Sequence, residues 1–392
     1  MTRRGNDSMD RMQIEAARED TPFLANYTFL NHAAISPIPR SVQRAMMRAA
    51  EMHVHVLAAS EAPAHAEYAR GRSLAASLVG ARQGHVAYVQ NTSIGMSMIA
   101  AGIDTKPGDN VVVPAMEFPS NLLPWIQLEA AGIEVRRVQA IDGRITADAL
   151  RSHVDARTRV VALSHVQYYN GYRVDLDVIG ELCRQTDALL VVDGTQSIGA
   201  LKLDMEACGV DVVVAASHKW MLGPVGTGFM AFSSRAMDRI RPALVGWLSV
   251  KDPFAFHRTL DFLETAERFE PGSENSVGIF GLTQRFASID EIGMAAIESR
   301  VLHLVGYLFE SARSAGLDIA NPLEEGERSG IVLLRHPTRR AEDVHADLAQ
   351  NKILTSVRSG AIRLSPHYHN TVDELDQVIG TIRNRTPARR LA

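Results

Sequence analysis

Short apolar runs alternate with amphipathic stretches through the middle of the chain. Residues 85–89, 110–113, 160–163, 188–192 and 211–215 are rich in valine, leucine and alanine and predict strands. Residues 93–102, 119–131 and 176–186 lie between them and predict helices. Strands separated by helices imply parallel βαβ units with helices on both faces of one sheet. The run Leu189-Leu190-Val191-Val192 has no polar position, which fits a strand buried on both sides. After about residue 256 the pattern changes. A long helical region at 276–315 is followed by strands at 331–334, 353–357 and 362–364 and a helix at 372–382. The expected fold class is α/β, a mostly parallel central sheet flanked by helices, with a smaller α+β domain. We divide the chain into an N-terminal arm (1–25), a large domain (26–255) and a small domain (256–392) that packs with part of the N-terminal segment.

Composition narrows the class. The chain has 392 residues and 46% hydrophobic content, enough for one large domain and a smaller one. A net charge of -4 gives no electrostatic case for nucleic acid or a membrane surface. Two cysteines, Cys183 and Cys208, do not make a disulfide framework, which suits a reducing compartment. The polar start does not resemble a secretory signal, and no apolar stretch is long enough to span a bilayer, so a cytoplasmic location is expected. The basic end, 383–392, reads as a frayed tail.

In such a sheet, ligands bind at the carboxyl ends of the strands. Four segments fall there: Asn91-Thr92-Ser93, Glu117-Phe118, Asp193-Gly194-Thr195-Gln196 and Ser217-His218-Lys219. Lys219 follows a β-branched run and precedes a glycine-rich stretch, 223–228. That is a poor place for a solvated charge and a good one for an amine that forms a Schiff base with a carbonyl cofactor. Asp193 ends another apolar run. Pyridoxal phosphate needs this pair, a lysine for its aldehyde and an acid for its pyridinium nitrogen. The bland readings are an ordinary helix-start lysine and a capping aspartate.

Taken with the segments from Leu30-Asn31-His32 to Ile362-Arg363-Leu364, these motifs resemble the class V aminotransferase family of fold-type I pyridoxal phosphate enzymes. That family also holds cysteine desulfurases, kynureninases and isopenicillin N epimerase-like proteins. The resemblance implies that Lys219 is the Schiff-base lysine and proton carrier, and that Asp193 pairs with the pyridine nitrogen. It implies that Gln196 meets the phenolic oxygen and that Ser217 and His218 bind phosphate. Thr92 and Ser93 fit the same phosphate role at a helix start, and equally fit a plain N-cap. Phe118 falls where the family stacks a ring on the cofactor. Ser273 falls in a loop that reaches the phosphate of a partner subunit, which implies a homodimer with shared sites. Arg363 aligns with the arginine that grips a substrate carboxylate, and Asn31 and His32 with a segment that folds near the substrate.

Two departures narrow the chemistry. Cysteine desulfurases carry a nucleophilic cysteine on a loop just before the matching arginine. Here Ser359-Gly360-Ala361-Ile362 is short and has none, and neither Cys183 nor Cys208 maps to that loop. Tyr168 stands where several relatives have asparagine, and is a candidate to face the substrate or act as an acid. His53, His55 and His65 have no acidic or cysteine partners at metal spacing, so no metal is expected. The glycines at 223–228 lack the lysine-hydroxyl pair of a nucleotide loop. The expected activity is action at the α-carbon of an amino acid or small amine, with transamination first. A lyase or an epimerase is the alternative within the class, and a non-catalytic binding protein is the alternative outside it.

Overall fold

The alternating runs become a seven-stranded sheet with a four-stranded sheet beside it. The computed structural model describes residues 9–55, 61–256, 258–321 and 323–383. The first eight residues and the basic tail from 384 onward lie outside the described residues. A short strand, β1 (Thr28–Phe29), leads into two helices, Arg40–His55 and Glu61–Val79. The central sheet comprises β2 (Val86–Val89), β3 (Asn110–Pro114), β4 (Glu134–Val138), β5 (Thr158–Ser164), β6 (Leu189–Asp193), β7 (Val212–Ala216) and β8 (Gly228–Phe232). Their order is β2-β8-β7-β6-β5-β3-β4. Only β8 runs antiparallel to its neighbours β2 and β7. The other adjacent pairs are parallel.

Two strands of the central sheet lie outside the pattern read from the sequence. β4 has an exposed, arginine-bearing face because it is an edge strand. β8 follows the glycine-rich stretch directly, and its Gly228 sits so close to β7 that a Cβ would fall 2.4 Å from the Ala215 carbonyl oxygen.

The side chains of β6 and β7 alternate between two cores, as a period of two requires. Leu190, Val192, Val213 and Ala215 join one face with Ile179 and Leu182 of the helix Leu176–Thr186. Leu189, Val191, Val212 and Val214 join the other with Met96 and Ile99 of the helix Thr92–Gly102. That helix lies directly on the sheet: a Cβ on Gly95 would meet Val214 Cγ1 at 2.5 Å.

The long helical region predicted at 276–315 is two helices, Ser276–Ile292 and Met294–Ser314, bent by 82°. The break is at Gly293, whose φ of 88° stops the first helix. The four-stranded antiparallel sheet has the order β12-β13-β10-β9, formed by β9 (Asp318–Ile319), β10 (Val332–Arg335), β12 (Ser356–Arg358) and β13 (Ala361–Leu364). The remaining strand, β11 (Ile353–Leu354), pairs in parallel with β1 and so ties the N-terminal segment to this layer. The predicted strand 353–357 is thus two pieces serving different sheets. Among the described residues no single helix is long and apolar enough to cross a membrane.

Candidate active site

β2, β3, β5, β6 and β7 all point the same way, so the segments that follow them meet at one sheet edge. A cavity of about 330 Å³ opens there, within the range of small-molecule sites. Thr92 and Ser93 after β2, Phe118 after β3, Asp193 and Gln196 from β6, and His218 and Lys219 after β7 all line it. Across it stand Tyr168, Arg358 and Arg363, the last two from the small sheet.

Burial sets the electrostatics. Lys219 is mostly withdrawn from water, and this pushes its amine down from 10.5 to about 8, with Asp193 opposing and Arg363 and Arg358 assisting. Its Nζ lies 5.4 Å from the centre of the Phe118 ring. Burial raises the Asp193 carboxyl, while its bonds to Thr195 and the charge of Lys219 hold it down. Thr195 N–H donates to Asp193 Oδ1 at 2.9 Å, and the Thr195 hydroxyl accepts from Ala216 N–H, so the loops after β6 and β7 are locked together. Burial and then Lys219 lower the His218 imidazole, keeping it uncharged at neutral pH. Arg363 is 2% exposed, bonded through Nε to Ser356 and through Nη1 to the Tyr168 carbonyl. Burial and Arg358 lower its guanidinium. Neither arginine has a carboxylate partner among the described residues.

These residues fit pyridoxal phosphate. The amine and the carboxyl open into one cavity, and Phe118 offers a flat apolar face beside the amine. The helix Thr92–Gly102 starts at the cavity, with Asn91 as its N-cap. Its first amides, at Thr92 and Ser93, have no carbonyl within the helix to bond, and such amides hold phosphate.

Some of the expected site residues lie elsewhere. Ser217 does not line the cavity: its hydroxyl donates to the Pro224 carbonyl at 2.7 Å and bonds Thr227, which shapes the glycine-rich turn. His32 is fully buried, bonded to Ser36 and packed edge-on to His367 and His369, so it faces a histidine cluster and not the cavity. Asn31 bridges through its backbone to Ser365, and Ala33, Ala34 and Ile35 line the cavity in its place. Ser273 borders a second cavity of about 250 Å³ that also takes in Gln90, Gly226 and Thr227. Gln196 lines the site, but its amide accepts from Trp220 Nε1 at 2.9 Å and donates to the Ala33 carbonyl at 3.0 Å. It acts here as a brace between three segments. Tyr168 packs edge-on to Phe118 with ring centres 5.2 Å apart.

Sequence reasoning missed Ser164 and Arg358. Ser164 ends β5 and donates to the buried Glu117, so the strand-end rule applied to 160–163 would have found it. Arg358 faces the cavity because a two-residue turn, Ser359-Gly360, folds β12 onto β13. Both turn residues have positive φ, 51° and 67°, the geometry of a tight hairpin. Cys183 and Cys208 are absent from the cavity lining. Burial drives the Cys183 thiol up to about 12 and Cys208 up to about 11.

Known proteins match this chain in sequence and fold. The chain is 29% identical to a probable cysteine desulfurase of Methanothermobacter thermautotrophicus, over 94% of this chain and 97% of that protein. The fold superposes on the cystine C–S lyase C-DES in complex with its reaction product cysteine persulfide, with a TM-score of 0.84, 22% identity and coverage of 93% and 99%. A mutant of C-DES with glycine covalently linked to the PLP cofactor gives a TM-score of 0.86, 21% identity and coverage of 94% and 99%. Residues 28–380 match the family described as aminotransferase class-V, and the chain belongs to that family of pyridoxal phosphate enzymes.

Proposed function

We propose that this enzyme is a C–S lyase acting on a cysteine-type amino acid, and that sulfur leaves in a free product. The observation that carries this reading is the Ser359-Gly360 hairpin. It closes the place where a thiol-bearing loop would enter, beside a cavity whose lining contains no cysteine. The relatives and fold neighbours that cleave C–S bonds support the substrate class. Transamination, which the family resemblance favours, gives way to the lyase alternative on the same grounds.

Lys219 would hold the cofactor aldehyde, Asp193 its ring nitrogen, Phe118 its face, and Thr92, Ser93 and His218 its phosphate. Bound pyridoxal phosphate supplies the electron sink that lets a Cα–H bond ionise. Arg363 pairs with the α-carboxylate, because a guanidinium offers a planar two-pronged donor. Lys219, titrating near 8, accepts the Cα proton once its amine is free. As the Cα–H electron pair forms a Cα–Cβ double bond, sulfur would leave with the Cβ–S pair, as hydrosulfide from cysteine or as a persulfide from a disulfide. Water hydrolyses the remaining three-carbon fragment to pyruvate and ammonia. Phe118 and Tyr168, packed edge-on, form one wall of the cavity.

The working unit is a homodimer. Leu244, Val245, Trp247, Phe254, Phe256 and Leu260 are all at least 45% exposed within one stretch of chain. Such clustering of large apolar side chains fits a covered surface better than a wet one. Ser273 follows this stretch and would serve the site of the second copy. The test is incubation of the holoenzyme with cysteine, cystine and other amino acids, with products identified by mass. Pyruvate and ammonia are expected in equal amounts, with one equivalent of sulfide from cysteine or of cysteine persulfide from cystine. Alanine with a protein-bound persulfide, or a keto acid with its side chain intact, would overturn the reading.

A further inference from the structure

The backbone around Lys219 is held from three distant parts of the chain. Ser36 N–H donates to the His218 carbonyl at 2.8 Å. Arg285 Nε donates to the Met221 carbonyl at 2.7 Å. The third tie is a side chain from beyond β13: His367 Nε2 bonds the Trp220 carbonyl at 2.7 Å. Gly199 packs against that carbonyl, where a Cβ would fall 2.5 Å from the oxygen.

The hydrogen bonds fix the tautomer of His367. Its Nδ1 accepts from Tyr368 N–H at 2.8 Å, so the proton sits on Nε2 and is donated to Trp220. The ring is fully buried between His32 and His369, with the Trp220 indole 5.6 Å away, and its backbone N–H is bonded to Asn370 Oδ1. Only Leu364, Ser365 and Pro366 separate it from Arg363. One short segment therefore carries both the guanidinium that lines the cavity and the imidazole that holds the lysine backbone.

We propose that His367 is a positioning residue for Lys219, coupling the segment that carries Arg363 to the lysine through its Nε2–H bond to the Trp220 carbonyl. This rests on Lys219 being the cofactor lysine and not on the identity of the sulfur substrate. Variants one methylene apart separate positioning from packing. In His367→Gln the amide nitrogen reaches the place of Nε2 and can still donate to Trp220. In His367→Asn the amide is too short to reach it, though it can still bond Tyr368 N–H. A displacement of about 1 Å at a reacting group can cost on the order of 10²-fold in rate.

The test measures, for each variant, the rate at which apoprotein captures added pyridoxal phosphate, read from the visible absorbance of the lysine-bound cofactor. Thermal unfolding and kcat and KM for the cleaved substrate are measured alongside. His367→Asn is expected to slow capture and to lower kcat by about 10²-fold with KM within about twofold, while His367→Gln stays near wild type. If the two variants match in capture and kcat, or if the loss in His367→Asn appears in KM alone, the positioning role is wrong. If the wild type captures no cofactor, the function reading itself fails, and the two failures are distinct.

Discussion

Replacing Lys219 by methionine should stabilise the apoprotein. The structure withdraws the amine from water next to Arg363 and Arg358, and Asp193 offsets this only in part, so its affinity for a proton falls from 10.5 to about 8. A pKa unit corresponds to about 1.4 kcal/mol, so a fall of roughly two and a half units amounts to about 3 kcal/mol. The sign follows from proton binding. Below pH 8 the lysine is protonated in both folded and unfolded chains, and the full penalty is present. Between about 8 and 10.5 the unfolded chain binds more protons, so folding stability rises with pH. Methionine is unbranched and only one atom shorter than lysine, and it removes the charge. Lys219→Met apoprotein should therefore be more stable than wild type by up to about 3 kcal/mol at pH 7, and the difference should shrink toward pH 10.5. Urea denaturation of both apoproteins at pH 7, 9 and 10.5 measures this. A variant equal to or weaker than wild type at pH 7, or a gain that does not change with pH, would refute the electrostatic account of Lys219. Burial would then give no reason for a reactive amine at Lys219 at neutral pH.

Three further predictions follow from other parts of the molecule. Burial lowers His367 to about 3 and takes His32 and His369 well below 6.5. Their contribution to stability is complete above 6.5 and is lost as pH falls toward 3, so apoprotein melting temperatures should drop across that window, and less steeply in His369→Phe. Removing both thiols, in Cys183→Ala with Cys208→Ala, should leave C–S cleavage per folded enzyme within about twofold, since neither reaches the cavity. An inactive but folded double variant would restore an enzyme-bound sulfur carrier. Arg363→Lys should lose the two-pronged carboxylate pair and about 2 kcal/mol of charge-assisted bonding, a rise in KM of roughly 30-fold with a smaller change in kcat; an unchanged KM would place the carboxylate elsewhere.

The placement of a site residue is legible in the sequence wherever it depends on that residue's own strand. Lys219 and Asp193 each follow a buried apolar run, and the strand-end rule brought them to one edge along with Thr92, Ser93 and Phe118. What failed depended on side-chain direction within a turn. Ser217 adjoins His218, yet its hydroxyl turns back to Pro224 while His218 faces the cavity. Asn31 and His32 are in the right segment, but the pairing of β1 with β11 presents Ala33 to Ile35 instead. Arg358 was passed over because its placement depends on the register of β12 on β13, which puts Arg358 opposite Ala361 and Ser356 opposite Arg363. Register of this kind is set by the turn, and only the positive φ at Ser359 and Gly360 reveals how tight that turn is.

The same hairpin decides more than the place of Arg358. A longer connection between β12 and β13 could carry a nucleophile into the cavity, but two residues in a tight turn leave no chain to do so. The space is taken by two cations without carboxylate partners and by the rings of Phe118 and Tyr168. Phe118 has no proton to give, and in the proposed reaction the acid and base work at the substrate carbon is assigned to Lys219. A cavity that holds Lys219 and no thiol fits the elimination proposed above, which needs a proton removed and a leaving group released. It suits poorly a reaction that must also attack sulfur and reprotonate a second carbon. On the proposed reading the branch of the chemistry rests on the Ser359-Gly360 turn, and lengthening that turn with a cysteine-bearing segment should divert part of the sulfur onto the protein, detectable as a persulfide by mass.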